Sequence, residues 1–260
     1  MNFGQKELWL DGFFPLEMTE QIKKIMTWNV KGIKRQLGFM RNFIDSVDII
    51  CLQETWLKEF ELNILETNFP DFCMTHKSGM KINSEVLCRG RPFGGVVTIW
   101  KNAYSSCIEV IPIELDNCVV EKVMTQDTNI YVVNAYFLTN TLDNQELISE
   151  CNSRVISLWR LNDVENILIL GDLNIGSSSS AFLKLKNTCE ENDLLIIDDE
   201  RLPPGSFTFQ SEMNSGTSWI DHVIGNDYIN ELILSCTIVY NFLLSDHFPL
   251  KVECNIPVDF

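Results

Sequence analysis

Residues 167–174, which read Ile-Leu-Ile-Leu-Gly-Asp-Leu-Asn, constrain the fold of this chain more than any other stretch. Four consecutive apolar residues predict a strand that is buried on both faces. Gly171 permits a backbone turn without a Cβ, and Asp172 and Asn174 follow at the exit of the strand. Because side chains two apart on an extended segment point the same way, we expect the side chains of Asp172 and Asn174 to face the same spot. The carboxylate can take a proton from water, and the amide can hold an anionic oxygen. A buried strand ending in an ordinary Asx turn is the alternative interpretation.

Length and composition restrict the class of protein. A chain of 260 residues with 45% hydrophobic residues can build one large domain or two small ones, and it is too apolar for wholesale disorder. The acidic and aromatic N-terminus is not typical of a secretory signal, and no apolar run approaches the roughly 20 residues that span a bilayer, so no membrane partner is expected. Nine scattered cysteines without a CxxC pair predict reduced, mostly buried thiols and a nuclear or cytoplasmic location.

The charge is strongly acidic overall but unevenly distributed. A net charge of −16 argues against a protein that grips nucleic acid over its whole surface, although it does not exclude a local site. Residues 21–44 contain no acid, and their basic residues form either a solvated helix face or the anion-facing side of a polar molecule. These basic residues are Lys23, Lys24, Lys31, Lys34, Arg35 and Arg41.

Short apolar runs separated by turn residues predict strands along the whole chain, with a few helices between them. Residues 94–136 contain four such runs, which we predict to form an antiparallel meander, whereas residues 58–91 are predicted as surface loops with short strands and include His76. Helices are predicted for residues 36–46, 143–160 and 181–190. The predicted fold is a four-layered α/β sandwich of residues 21–260, in which two mainly antiparallel sheets pack face to face with helices outside, after an N-terminal extension of residues 1–20.

Polar residues follow many of the apolar runs and could converge on one pocket. The set contains carboxylates, amides, a tyrosine and a histidine, which suit a hard cation and a phosphate group, whereas zinc sites favour clustered Cys and His. The residues are Asn29, Glu54, Asn134, Tyr136, Asp172, Asn174, Asp221, His222, Asp246 and His247.

These residues lie in motifs whose order resembles the endonuclease/exonuclease/phosphatase superfamily. The motifs are Trp28-Asn29-Val30, Leu52-Gln53-Glu54-Thr55, Asn134-Ala135-Tyr136, Gly171-Asp172-Leu173-Asn174, Ile220-Asp221-His222-Val223 and Ser245-Asp246-His247. Residues 90–97 and 207–224 further resemble the apurinic-type endonuclease domain of non-LTR retrotransposons. The chain departs from the superfamily pattern at Lys31, where many members carry an acid or an amide, and after Tyr136, where Asn140 is displaced from its usual turn.

The resemblance implies hydrolysis of a phosphodiester by an activated water with Mg²⁺, or alternatively Mn²⁺, as cofactor. Glu54 would be the principal metal ligand and Asp246 a secondary one; on sequence alone Gln-Glu-Thr could equally be a helix cap. Asp172 would activate the water, Asn174 would bind a phosphate oxygen, and Asn29 would help to hold Glu54 or the phosphate. The remaining catalytic residues would be His247, which contacts the phosphate, Asp221, which fixes the tautomer of that histidine, and Tyr136, which stabilises the phosphate or the leaving oxygen. His222 follows Asp221 directly, so it points to the opposite face of a strand and is left out.

The implied function is a DNA endonuclease that nicks one strand and leaves a 3′-hydroxyl to prime reverse transcription. DNA would be its partner, with a reverse transcriptase in the same polyprotein as a second. The alternatives are a cellular abasic-site nuclease, a phosphodiesterase acting on RNA, a nucleotide or a lipid headgroup, and a noncatalytic binding domain. Lys31 is expected beside the phosphate track because an extended segment would place it on the same face as Asn29. The residues predicted to contact DNA are Lys31, Lys34, Arg35, Arg91 and Ser211.

Overall fold

The computed structural model of the chain describes residues 21–79, 93–115, 117–137, 153, 157, 164–242 and 244–259. The predicted N-terminal extension and Arg91 lie outside the described residues. Most of the helix predicted for residues 143–160 also lies outside them, although Ser153 and Ser157 are both helical.

Besides the helical Ser153 and Ser157, the described residues form fourteen strands and five α-helices, with short 3₁₀ turns between them. The strands are β1 (Gln21–Asn29), β2 (Ile49–Gln53), β3 (Phe72–Lys77), β4 (Val96–Lys101), β5 (Ile108–Ile111), β6 (Cys118–Met124), β7 (Asn129–Tyr136), β8 (Asn166–Asp172), β9 (Leu195–Ile196), β10 (Phe209–Gln210), β11 (Thr217–Ser218), β12 (Asp221–Gly225), β13 (Ile233–Ile238) and β14 (Leu250–Pro257). The helices are α1 (Leu37–Met40), α2 (Asn63–Asn68), α3 (Ser180–Glu190), α4 (Ile197–Arg201) and α5 (Asp227–Leu232).

Twelve of the strands form two six-stranded sheets. The first sheet has the order β13-β14-β1-β2-β4-β3 and the second β5-β6-β7-β8-β12-β9, while β10 and β11 pair as a separate hairpin. In each sheet the central pair is parallel, β1 with β2 and β7 with β8, and the other pairs are antiparallel. Asn29 is aligned with Gln53 and Tyr136 with Asp172, so each parallel pair ends at one edge of its sheet with polar residues at neighbouring positions.

Three apolar clusters define the layers. Ile25 and Val252 of the first sheet pack with Leu168 and Leu170 of the second in the cluster between the sheets. Outer clusters bury the opposite faces, with Phe182 of α3 against the second sheet in one of them. The other packs Met40 of α1 and Leu65 of α2 against the first sheet. The predicted four-layered sandwich with mainly antiparallel sheets is therefore confirmed.

A polar layer also joins the two sheets. The Nε2 of Gln53 donates to Thr27 Oγ1 at 2.9 Å and to Asn134 Oδ1 at 2.8 Å, and the Nδ2 of Asn134 donates to Val97 O at 3.0 Å. Asn134 is fully buried. It connects the sheets and does not belong to the pocket to which its motif was assigned.

Several local predictions are wrong. The run at residues 94–100 becomes β4, which pairs with β2 and β3 in the first sheet, so only β5, β6 and β7 form the predicted meander. The helical pattern of residues 36–46 gives only the short α1 flanked by 3₁₀ turns. His76 lies in β3 and not in a loop, because its strand completes the edge of the sheet beside β4.

The described cysteines match the predicted mostly buried state. Seven cysteines are described, and all of them except Cys73 are buried. Among the helices of the described residues, none has the length and apolar character needed to cross a bilayer.

Candidate functional site

The site is built around the end of β8. Gly171 has a φ of 148°, and a Cβ built at this position would lie 1.8 Å from the carbonyl oxygen of Ala135 in β7. Glycine is required here for the close approach of two parallel strands, whereas the sequence had suggested a turn. This close pairing places the buried Asp172 directly beside the end of β7.

Asp172 is held by two hydrogen-bond donors. The Nδ2 of Asn29 donates to Asp172 Oδ2 at 2.9 Å, and the backbone N–H of Asn174 donates to Oδ1 at 3.0 Å. Asn29 therefore contacts Asp172, and its role in holding Glu54 or the phosphate stays a prediction. Burial raises the pKa of the Asp172 carboxyl, and nearby Asp221 raises it further, although His247, Asn29 and Asn174 oppose the shift. Such a carboxyl suits a group that takes up and releases a proton.

Asn174 lies near Asp172 for a different reason from the one predicted. Its φ of 54° takes the backbone out of the extended region, so the two side chains are not related by strand alternation. The Asn174 Nδ2 donates to Phe137 O at 2.7 Å, which ties the loop after β8 to the end of β7.

Asp221 and His247 form the pair that the sequence predicted. Asp221 is the first residue of β12 and lies opposite Asp172. The Nδ1 of His247 lies 2.9 Å from Asp221 Oδ2, and the Nε2 lies 3.8 Å from Asp172 Oδ2. Burial lowers the pKa of His247, but the charges of Asp221 and Asp172 outweigh burial and raise it to about 9. The imidazole therefore carries a proton at neutral pH and can present a charged N–H to an anion.

Glu54 lies just after β2 and is held by two aromatic residues. Tyr136 donates its hydroxyl hydrogen to Glu54 Oε1, and Trp56 Nε1 donates to Oε2 at 3.0 Å. Burial and the charge of Glu54 raise the pKa of Tyr136, so its hydroxyl keeps its proton. Gly95 packs against this turn, and a Cβ there would approach Thr55 Oγ1 to 2.8 Å. Sequence reasoning missed Trp56, although it follows the Gln-Glu-Thr motif directly.

Asp246 is paired with Lys31. The Lys31 Nζ lies 2.6 Å from Asp246 Oδ2 and 3.0 Å from Glu212 Oε1. Lys31 has a φ of 48° and follows the end of β1, so the argument that an extended segment aligns it with Asn29 is wrong. No local pattern signals this pairing, because Glu212 and Asp246 are 181 and 215 residues away from Lys31 along the chain.

The donor set fits a hard divalent cation. Glu54 supplies a partly exposed carboxylate, and Asp221 Oδ1 is a buried carboxylate oxygen without a hydrogen-bond partner among the described residues. Asp172, Asp221 and His247 each have a possible ligand atom within 4.8 Å of the other two, but the protonated imidazole has no lone pair for a metal, so the two carboxylates are the donors. Oxygen donors dominate this set, as Mg²⁺ or Mn²⁺ prefers. Asp246 fits less well, because one of its oxygens already contacts the Lys31 ammonium.

A second buried histidine pair lies on the opposite face of β12. His222 Nδ1 lies 2.9 Å from Asp198 Oδ2, and its Nε2 lies 2.8 Å from Ile175 O. Asp198 also accepts from Trp219 Nε1 at 2.8 Å. His222 is therefore outside the site, as expected. Sequence reasoning missed Asp198, which stands in an acid-rich stretch of residues 190–200 but is fully buried.

The residues predicted to contact DNA do not all lie in the same cleft. Lys31, Lys34 and Arg35 line one cleft of about 620 Å³, although Lys34 also pairs with Glu61. Ser211 lies in the loop of the β10–β11 hairpin, where its Oγ accepts from the backbone N–H of Met213 at 3.3 Å. DNA binding by these four residues and by Arg91 stays a prediction.

Comparisons with known proteins agree with the fold of this chain. Solved structures with similar folds include the AP endonuclease LMAP from Leishmania major, with 17% identity, a TM-score of 0.71, and coverage of 91% of this chain and 89% of that chain. The 3′ phosphatase NExo from Neisseria, bound to product DNA hairpin, has 14% identity, a TM-score of 0.67 and coverage of 92% and 100%. The endonuclease domain of TRAS1, a telomere-specific non-LTR retrotransposon, has 14% identity, a TM-score of 0.63 and coverage of 89% and 98%.

No curated protein matches the chain at a significant level. A family model described as Endonuclease/Exonuclease/phosphatase family matches residues 26–247, which include every site residue described above. The chain therefore belongs to the Endonuclease/Exonuclease/phosphatase family, whose members are metal-dependent hydrolases of phosphoester bonds.

Proposed function

We propose that this chain is a Mg²⁺-dependent DNA endonuclease that nicks one strand and leaves a 3′-hydroxyl. The observation that carries the proposal is the arrangement of Asp172 and His247 around a shared space. The Nε2 of His247 lies 3.8 Å from Asp172 Oδ2, beyond hydrogen-bonding distance, so both groups can contact an oxygen of the same phosphate or water. Each group has its own support, from Asn29 on one side and from Asp221 on the other.

Asp172 orients and deprotonates the attacking water. Its Oδ2 accepts from Asn29 and its Oδ1 from the backbone of Asn174, so the carboxylate plane is fixed before substrate binds. The raised pKa makes Asp172 a stronger proton acceptor than an ordinary aspartate when it is ionised. His247 presents its Nε2–H to the phosphate, where the positive charge stabilises the negative charge that develops in the transition state.

Glu54 is the residue that would hold the metal, with Asp221 close to the phosphate. A bound Mg²⁺ would neutralise phosphate charge and stabilise the leaving oxygen. Tyr136 and Trp56 orient Glu54 by donating to its two oxygens. Tyr136 thereby acts through Glu54, which differs from the direct contact with the phosphate that the sequence had suggested.

The biological role that we propose is the priming of reverse transcription in a non-LTR retrotransposon, with a reverse transcriptase in the same polyprotein. The likeness to the TRAS1 endonuclease domain supports this role. Gly94 and Gly95, from the first of the two retrotransposon-like stretches, accept from the backbone N–H groups of Trp56 and Thr55 beside Glu54. These two glycines therefore stabilise the turn that carries Glu54.

A second candidate is a phosphodiesterase or phosphatase that acts on a small substrate or at a DNA end. The net charge of −16 favours it, because a small phosphorylated substrate needs no long basic track. The likeness to the 3′ phosphatase NExo supports the same alternative. An abasic-site nuclease remains the third candidate, in line with the likeness to LMAP.

Nicking of supercoiled plasmid in Mg²⁺ or EDTA tests the proposal. Asp172→Asn and His247→Gln should each lower the nicking rate on the order of 10²–10⁴-fold with the fold intact by circular dichroism. The matched control Asp199→Asn alters a surface carboxylate paired with Lys186 and should nick normally. Near-wild-type nicking by either site variant, or nicking that survives chelation, contradicts the mechanism.

Product ends and substrate range separate the three candidates. Extension of the nick by a polymerase without prior phosphatase treatment is expected, because it requires a 3′-hydroxyl. Parallel assays use an abasic duplex, a 3′-phosphate duplex, single-stranded RNA and a soluble phosphodiester. A rate on one of these that greatly exceeds the rate on intact plasmid assigns the chain to the corresponding alternative.

A further inference from the structure

Lys31 brings a positive charge to a site in which most of the other ionisable side chains are acids. The Lys31 Nζ lies 2.6 Å from Oδ2 of Asp246, the residue that directly precedes His247. The side chains of Lys31 and Asp246 are only 26% and 15% exposed, so water screens this contact incompletely. Glu212 approaches the same ammonium at 3.0 Å from the hairpin, but its side chain is 71% exposed.

The positions of Lys31 and Asp246 are set by contacts that do not depend on the ion pair. The backbone N–H of Lys31 donates to Asn29 Oδ1 at 3.1 Å, and the side chain of the same asparagine donates to Asp172. On the other side, Ser245 Oγ donates to Asn29 O at 2.8 Å and accepts from the backbone N–H of His247 at 3.2 Å. Asn29 thus anchors both the lysine and the loop that carries Asp246.

The adjoining turn is also tightly packed. Gly32, with a φ of 97°, lies against Trp56, and a Cβ on Gly32 would come within 2.4 Å of that ring. Trp56 in turn donates to Glu54. The ammonium is therefore held near Asp246 by a rigid backbone that also positions the proposed metal ligand.

We propose that the Lys31 ammonium occupies the position beside Asp246 where a second metal ion would otherwise bind. The site therefore binds one divalent ion, at Glu54, and none at Asp246. This inference rests on the proposed metal-dependent function. A divalent ion on Asp246 would have to share the carboxylate with Lys31, whose ammonium already contacts Oδ2, and it would lie within a few ångströms of that positive charge. Mg²⁺ also requires a nearly ideal octahedral set of oxygens, which an ammonium cannot supply.

The proposal changes the roles assigned to two residues. Asp246 becomes the counter-ion of a lysine and not a metal ligand. Lys31 neutralises and positions the Asp246 carboxylate, so most of its charge is compensated within the protein. Its contribution to DNA affinity should therefore be smaller than that of Arg35, which has no ion-pair partner among the described residues.

Counting bound Mn²⁺ ions by electron paramagnetic resonance, without substrate, tests the proposal independently of activity. We expect one ion per chain in the wild type and two in Lys31→Met, which keeps the aliphatic stem but removes the charge. Lys31→Arg restores a cation and should bind one ion. The double variant Lys31→Met, Asp246→Asn should also bind one, which locates the extra ion at Asp246.

Lys34→Met is the matched control, since Lys34 also lines the cleft and pairs with a carboxylate. It should leave the count at one. Two ions in the wild type, or one ion in Lys31→Met with a folded structure by circular dichroism, overturn the inference and leave the proposed function intact. No ion in the wild type overturns both the inference and the metal dependence of the proposed function.

Discussion

Glu121 of β6 provides a test of how burial sets the stability of this fold. Its side chain lies between the two sheets, is 1% exposed, and has no hydrogen bond of normal geometry to either carboxyl oxygen among the described residues. Thr98 and Cys51 of the first sheet lie near it. Because a buried, unpaired carboxylate is costly, we predict that Glu121→Gln stabilises the protein at alkaline pH.

The magnitude follows from the pKa of the carboxyl. Burial raises the pKa of Glu121 from 4.5 to about 8, against a smaller opposing effect of the nearby Thr98 hydroxyl and the backbone. Below pH 4.5 the group is protonated in both the folded and the unfolded state. Between pH 4.5 and 8 only the unfolded state ionises, so stability falls by about 1.36 kcal/mol per pH unit. Over this interval of about 3.5 units the loss reaches about 5 kcal/mol, a large part of a typical free energy of unfolding.

Urea denaturation from pH 5 to 9 measures this loss. The free energy of unfolding of the wild type should fall relative to that of Glu121→Gln as pH rises, and the difference should become constant above pH 8. Glu109→Gln, at an exposed glutamate on the neighbouring strand β5, should follow the wild type at every pH. A difference between the wild type and Glu121→Gln that does not change with pH would refute the reasoning.

Three further predictions concern the strands around the site. Gly171→Ala should cost about 1–3 kcal/mol or more and lower the melting temperature, because its Cβ would overlap the carbonyl of Ala135, whereas Gly176→Ala has open space and should not. Glu54→Gln should raise the Mg²⁺ concentration needed for half-maximal nicking, and an unchanged requirement would remove Glu54 as the metal ligand. His222→Leu should cost about 3–5 kcal/mol by leaving a buried carboxylate without its cation. Burial lowers the pKa of His222, but Asp198 outweighs burial and raises it overall. The stabilisation that His222 provides should therefore be complete below the pKa of the histidine in the unfolded chain, and it should be lost as pH rises through the pKa in the folded protein. A cost of His222→Leu that does not change with pH in urea denaturation would contradict this.

Much of the fold and of the pocket could be predicted from local patterns. The apolar run before Asp172 forms β8 almost as expected, and the pair of Asp221 and His247 has the contact that the motifs implied. The pattern placed His222 on the opposite face because side chains alternate along a strand. The prediction failed where the pairing of strands decides which sheet a strand joins. The sequence of β4 resembles a strand of the meander, but its neighbours are β2 and β3 of the first sheet.

The conformations of single residues at strand ends were also beyond local reasoning. Asn174 and Lys31 both follow strands, and both leave the extended region, with φ values of 54° and 48°. Alternation along a strand applies only while the backbone remains extended, so it gives no direction for side chains beyond the last paired residue.

The amino-acid sequence alone determines which residues are apolar, where the strands end, and which polar groups are available at those ends. These properties depend on neighbours along the chain, so periodicity and motif order reveal them. The tertiary structure alone decides which polar groups meet. Lys31 contacts Asp246 across 215 residues and Asn29 contacts Asp172 across 143, while Glu121 is left unpaired between the sheets. Such contacts arise from the packing of two sheets, and the balance of burial and charge at each group depends on that packing and not on the local sequence.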